Sequence, residues 1–109
     1  MDAVEVLTKA KARIDKPQKW VSYWSVSNDG KRVCALIAIR EAAGMNAIAN
    51  LSGLDNTTTH EPLRLLAEET GLNPRWSAID RITYFNDSSK HRDLMAAFDR
   101  AIKVAGANP

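Results

Sequence analysis

The sequence predicts an α+β fold that is mostly helical, with about four helices around a central buried helix and a small two-stranded antiparallel β-ribbon. Three observations support this expectation. Apolar residues recur at helical spacing in three segments, the longest unbroken apolar run (Val33–Ile39) indicates a buried helix, and two further segments are rich in aromatic and β-branched residues. A length of 109 residues suits one hydrophobic core, so we expect a single domain over residues 1–109.

Helix signals occur in four places along the chain. They span Asp2 to Ile14, Val33 to Ala43, His60 to Glu69, and a last helix that follows a cap at 86–89 and ends at Gly106. A short helix over residues 45–51 is also expected. The second segment has another interpretation, because the preceding turn, Asn28-Asp29-Gly30, is typical of a hairpin. A strand over residues 31–39 therefore stays open.

Two segments have the composition of β-strands. Trp20–Val26 interleaves aromatic and valine residues with polar ones. Ser77–Phe85 is rich in isoleucine, threonine and aromatic residues. We expect these two segments to pair with each other and to form the antiparallel ribbon.

Composition and charge exclude several classes of protein. Fifteen Lys and Arg against thirteen Asp and Glu give a net charge of +2, which disfavours nucleic acid as a partner because the attraction to polyanions is weak. No stretch approaches the ~20 apolar residues that span a bilayer, and the charged N-terminus lacks a secretion signal, so we expect a cytoplasmic protein without membrane contact. One cysteine and two histidines supply neither an internal disulfide nor a standard zinc site, so no metal and no cofactor is expected.

The function that the sequence favours is a non-catalytic module that binds another protein. Three tryptophans occur in this small chain, and Arg75 precedes one of them. Tryptophan and arginine are enriched in the energetic centres of protein interfaces. We expect a protein partner that contacts Trp20, Trp24, Arg75 and Trp76. The tryptophans belong to the edge of the core in an alternative interpretation, and the small core also allows a homodimer.

A cysteine-dependent hydrolase or transferase is the second interpretation. Cys34 is expected in the first turn of a helix, where free backbone N–H groups and the helix dipole stabilise a thiolate. His91, oriented by Asp87, would then accept the thiol proton. The spacing of these residues has no signature of a nucleophile motif, and a buried packing role for Cys34 is the simpler explanation.

A weak nucleic-acid-binding module is the third interpretation. Lys9, Arg13 and Lys16 follow one another at i, i+4 and i+7 and line one face of the first helix. Such a basic stripe contacts phosphates in nucleic-acid-binding proteins, with an affinity that falls steeply as salt is added. A solvated helix surface explains the same pattern more simply.

The chain contains three short patterns, Cys34-Ala35-Leu36, Asn86-Asp87 and Asp99-Arg100-Ala101. Over about residues 20–105 they resemble a family of small uncharacterised proteins, a domain of unknown function found in actinobacteria and their phages. The family pattern has a glycine after Leu36 and a tryptophan before Asn86, where this chain has Ile37 and Phe85. The family has no established activity, so the resemblance implies a context, namely a phage-encoded protein that acts on a host factor.

Overall fold

Five α-helices make up most of the chain in the ranges that the computed structural model describes, which are residues 2–23, 26–44 and 57–107. The helices are α1 (Ala3–Arg13), α2 (Ala35–Ala42), α3 (Thr57–Glu68), α4 (Ala78–Ser88) and α5 (His91–Ala107), and a 3-10 turn covers Pro17–Lys19. Helix α1 packs against α2, α3 and α5, while α4 packs against α2 and α3. None of the described helices is long and apolar enough to cross a membrane.

Helix α1 forms where the cap and the apolar spacing predicted it. The Asp2 carboxylate accepts a hydrogen bond from the Glu5 N–H at 2.9 Å, which satisfies a backbone donor of the first turn. Leu7 and Ala10 are fully buried along one face, and Ile14 continues this face just beyond the helix. The predicted helix over Asp2–Ile14 is confirmed to within one residue at each end.

Helix α2 is the central buried helix that the apolar run predicted. Ile37, Ala38 and Ile39 are at most 1% exposed, and Gly44 ends the segment with φ +81°, the left-handed conformation typical of a residue just past a helix end. The alternative of a strand over 31–39 is therefore wrong. The helix begins at Ala35 rather than Val33, because Cys34 has an extended backbone.

The predicted β-ribbon is wrong. Ser77–Phe85 lies in α4 apart from Ser77 itself, whose hydroxyl caps the helix by accepting from the Asp80 N–H at 3.1 Å. The described ranges contain no strand, and the Trp20 segment makes only isolated bridges, Trp20 to Val33 and Val26 to Val33. Packing of the α4 apolar face against α2 and α3 overrides the β preference of the local composition.

The remaining helices agree with the predicted segments in place but not in every boundary. Helix α3 begins at Thr57 instead of His60, and its Leu63, Leu66 and Ala67 are buried as expected. Asn86, Asp87 and Ser88 belong to α4 and do not form the expected cap of the last helix. The short helix expected over 45–51 lies outside the described residues.

Candidate functional site

Asn86 on α4 joins three segments of the chain in the buried interior. Its Oδ1 accepts hydrogen bonds from the Trp20 indole N–H at 2.8 Å and from the Ala35 N–H at 2.9 Å, and its Nδ2 donates to the Val21 carbonyl at 3.1 Å. Ala35 is the first residue of α2, and its N–H has no partner within that helix. The Asn86 side chain therefore caps the N-terminus of α2, although it is remote in sequence. Cys34, the residue directly before the helix, makes no such hydrogen bond with its side chain.

Asp87 holds a tyrosine in a strained conformation at the surface. Its Oδ1 accepts hydrogen bonds from the Tyr23 N–H at 2.8 Å and from the Asn86 side-chain amide at 3.1 Å. Tyr23 has φ +68°, a left-handed conformation that costs a residue other than glycine on the order of 1–2 kcal/mol. The Tyr23 ring is nevertheless 75% exposed, so burial of the ring does not offset the strain.

The outward face of α4 lines a surface cavity of about 370 Å³. Asp80, Thr83, Tyr84 and Asp87 occupy positions i, i+3, i+4 and i+7, which share one side of a helix. Together with Tyr23 they form most of the cavity wall. The volume lies in the range of about 300–1,000 Å³ that is usual for ligand pockets.

A third aromatic ring extends this surface beyond the cavity. Trp76 meets Tyr84 edge to face, with ring centroids 5.7 Å apart and an interplanar angle of 69°. Trp76 is 42% exposed and Tyr84 is 54% exposed. Tyr23, Trp76 and Tyr84 are therefore accessible to a binding partner, and we call these three residues the aromatic surface.

The environment of Cys34 favours the neutral thiol. Burial raises the pKa of Cys34, and the negative charge of Asp87 raises it further, against the opposing effect of the N–H groups at the start of α2. The structure thus brings Cys34 and Asp87 close enough to interact. Burial of the side chain, with the charge of Asp87 as a smaller contribution, therefore raises the pKa of Cys34 and suppresses the thiolate that nucleophilic chemistry requires.

We expect Cys34 to react slowly with iodoacetamide in the folded protein between pH 7 and 8. A raised folded-state pKa leaves little thiolate in that range, and it also means that stability declines as the pH rises through the folded-state value. The measurement is the rate of alkylation by mass spectrometry, with the urea-unfolded chain as the control. Fast modification at pH 7 that slows in His91→Ala would contradict this expectation and favour the enzyme interpretation.

His91 is engaged by groups other than Cys34. Its Nε2 lies 2.7 Å from the Ile14 carbonyl oxygen, and its ring packs against Trp20 with centroids 5.5 Å apart. A hydrogen bond to a backbone carbonyl requires a proton on Nε2. His91 therefore joins the start of α5 to the end of α1.

The described residues also contain no group of three or more His, Cys, Asp or Glu side chains placed to share a metal ion.

A family model describes nearly the whole chain. The model is that of DUF6197, a family of unknown function, and it matches residues 1–104. The chain belongs to DUF6197. The predicted resemblance to a family of unknown function is confirmed at this level. No curated protein and no solved structure matches the chain.

The tryptophans predicted as partner contacts fall in different environments of this DUF6197 fold. Trp76 and Arg75 are exposed, whereas Trp20 is half-buried, with its indole N–H bonded to Asn86. Trp24 lies outside the described residues. Sequence reasoning missed Tyr23 and Tyr84. The helical spacing of residues 80–87 is the signal that could have found Tyr84, whereas the composition of this segment predicted a strand.

The basic stripe of the DUF6197 chain is largely paired with carboxylates. Lys9 lies 3.4 Å from Glu5, and Arg13 pairs with Glu41 at 3.1 Å while donating to a backbone carbonyl. Lys16 is exposed. Pairing lowers the positive potential that a phosphate backbone would meet on this face.

Proposed function

We propose that this DUF6197 protein is a non-catalytic interaction module that binds a protein partner through its aromatic surface. One observation carries the proposal. In the described part of the chain four large hydrophobic side chains are exposed, and three of them, Tyr23, Trp76 and Tyr84, form the aromatic surface. Clustered exposed aromatic residues are typical of interaction sites, and they supply much of the binding energy in protein interfaces.

The buried network beneath the surface supports this proposal. Asn86 and Asp87 are neighbours on α4, and their side chains fix the segment that carries Tyr23. A surface that is ordered before binding loses less conformational entropy when the partner arrives. The strain at Tyr23 is consistent with a backbone that presents its ring for contact.

The chemistry of Cys34 supports a function without a catalytic step. A neutral, half-buried thiol is a poor nucleophile, and His91 is held by the Ile14 carbonyl. We place the protein in the cytoplasm, where a lone cysteine stays reduced. The resemblance described above supports an origin in an actinobacterium or its phage, with a host factor as the partner.

Site-specific photocrosslinking in cells that encode the chain tests the proposal. With p-benzoylphenylalanine in place of Tyr84, we expect one predominant protein adduct, because this position lies in the aromatic surface. The same amino acid in place of Val104, an exposed residue of α5, serves as the matched control and should give little adduct. Adding Trp76→Ala should reduce the adduct at position 84. Equal labelling at positions 84 and 104 would contradict the proposal. It would also be contradicted if no adduct forms when the same amino acid replaces Tyr84 and none forms when it replaces Tyr23 in a separate variant.

A further inference from the structure

We infer that the cavity between Tyr23 and Tyr84 binds an arginine side chain of the protein partner, an inference that rests on the proposed function. The cavity wall combines two tyrosine rings with the carboxylates of Asp80 and Asp87. Arginine suits this combination, because its planar guanidinium stacks on aromatic faces and pairs with carboxylates at the same time.

Asp80 and Asp87 form no ion pair with lysine or arginine within the described residues, which favours a cationic ligand. Twelve carboxylate side chains belong to the described residues, and eight of them form ion pairs with lysine or arginine. Of the other four, Asp2 caps α1 and Asp29 organises the turn before Arg32. The remaining two are Asp80 and Asp87, which both line the cavity. Within the described residues, this cavity thus has two carboxylates in its wall that form no ion pair with lysine or arginine.

Asp87 offers a specific acceptor to the guanidinium. Both of its hydrogen bonds within the described residues, from the Tyr23 N–H and the Asn86 amide, fall on Oδ1. Its second oxygen, Oδ2, receives none there. The guanidinium would donate to Oδ2 while its plane lies against a tyrosine ring, in the arrangement that favours arginine over lysine.

Asp80 contributes negative charge from the other end of the cavity. It lies seven residues before Asp87, which corresponds to roughly 10 Å along α4. One guanidinium therefore pairs with Asp87, and Asp80 adds a longer-range attraction. Asp80 also lies in the first turn of α4, close to the positive end of the helix dipole.

The aromatic surface indicates that the arginine belongs to a protein rather than to a free small molecule. Trp76 packs on Tyr84 and remains 42% exposed, although it lies outside the cavity wall. A ligand confined to the cavity would leave the Trp76 ring uncovered. A polypeptide that inserts one arginine covers the rings on both sides of the cavity.

Titration of the full ¹⁵N-labelled chain with N-acetyl-arginine amide tests the inference by NMR. We expect saturable shifts at residues 23 and 80–88, with at least fivefold weaker binding of the neutral citrulline analogue and weaker binding of the lysine analogue. Asp87→Asn should weaken arginine binding at least fivefold, because asparagine keeps the acceptor for Tyr23 but removes the charge. The matched control Asp93→Asn, on α5, should leave the affinity unchanged.

Tyr23→Gly separates loss of the ring from loss of the fold. Glycine adopts φ near +68° without strain, so this variant should keep its thermal midpoint while losing arginine affinity. Equal binding of the citrulline or lysine analogue, or full affinity in Asp87→Asn, would overturn the inference. If the inference is overturned in this way but a protein still crosslinks at position 84, the proposed function is retained. A missing crosslink with selective arginine binding overturns the proposed function, and with it the assignment of the arginine to a protein partner.

Discussion

Replacing Asn86 by leucine is expected to lower the free energy of unfolding by about 3–5 kcal/mol. Leucine matches the amide in size, but it leaves the Trp20 indole N–H, the Ala35 N–H and the Val21 carbonyl without their present partner. Each unsatisfied buried polar group costs about 1–3 kcal/mol. Urea unfolding, followed by circular dichroism and tryptophan fluorescence, measures the change.

Two further variants identify the cause of that loss. Asn28→Ala removes an exposed asparagine from the turn and should change the free energy of unfolding by less than about 0.5 kcal/mol.

Asn86→Asp keeps the acceptor oxygen but replaces the donor to Val21 with a buried negative charge. Burial raises the pKa of such a carboxyl, so this variant should be most stable in acid and lose stability as the pH rises through that pKa. A loss below about 1 kcal/mol in Asn86→Leu would show that the amide is not structurally important.

The double variant Trp76→Ala, Tyr84→Ala is expected to weaken partner binding by roughly 30-fold or more, which corresponds to about 2 kcal/mol. Both rings are more than two-fifths exposed, so the free energy of unfolding should change by less than about 1 kcal/mol. Isothermal titration with the protein that crosslinks at position 84 gives the affinity, and urea unfolding gives the stability.

Val104→Ala is the matched control for this pair of substitutions. It truncates an exposed hydrophobic residue of α5 that lies outside the aromatic surface, and it should leave partner affinity within about twofold. If the double variant binds as tightly as the unaltered protein, the partner does not use these rings. If affinity and stability fall together, the rings support the fold instead of an interface.

Helices α1, α2 and α5 could be predicted because their signals are local. Asp2 caps α1, Gly44 ends α2, and α5 has an apolar stripe along its length that includes the buried Leu94 and Phe98. Each signal depends only on residues of the segment that it predicts. A helix predicted from such local signals forms in the folded protein when the tertiary contacts favour the same helix.

Helix α4 was missed because composition and periodicity disagree in its sequence. Isoleucine, threonine and aromatic residues favour a strand, yet Ala78, Ile82 and Phe85 stand at i, i+4 and i+7 and pack against the core. Periodicity describes which face is buried, whereas β propensity is weak and depends on context. The hydrophobic face therefore decided the structure of this segment.

The candidate site depends on contacts that the sequence alone does not reveal. Asn86 bonds to Ala35 across 51 positions of the chain, and Asp87 bonds to Tyr23 across 64 positions. The pattern Asn-Asp-Ser-Ser also suits a helix cap, which was the predicted role. Once residues 80–87 are known to be helical, the outward positions of Asp80, Tyr84 and Asp87 follow directly from their spacing.

The position of the partner on the aromatic surface is tested most directly by NMR shift mapping. The ¹⁵N-labelled chain is titrated with the unlabelled protein that crosslinks at position 84. We expect the largest shift changes at residue 23 and over residues 76–88, where the three aromatic rings and the cavity lie. Changes concentrated on α1, around the basic stripe of Lys9 and Arg13, would contradict binding of the partner to the aromatic surface.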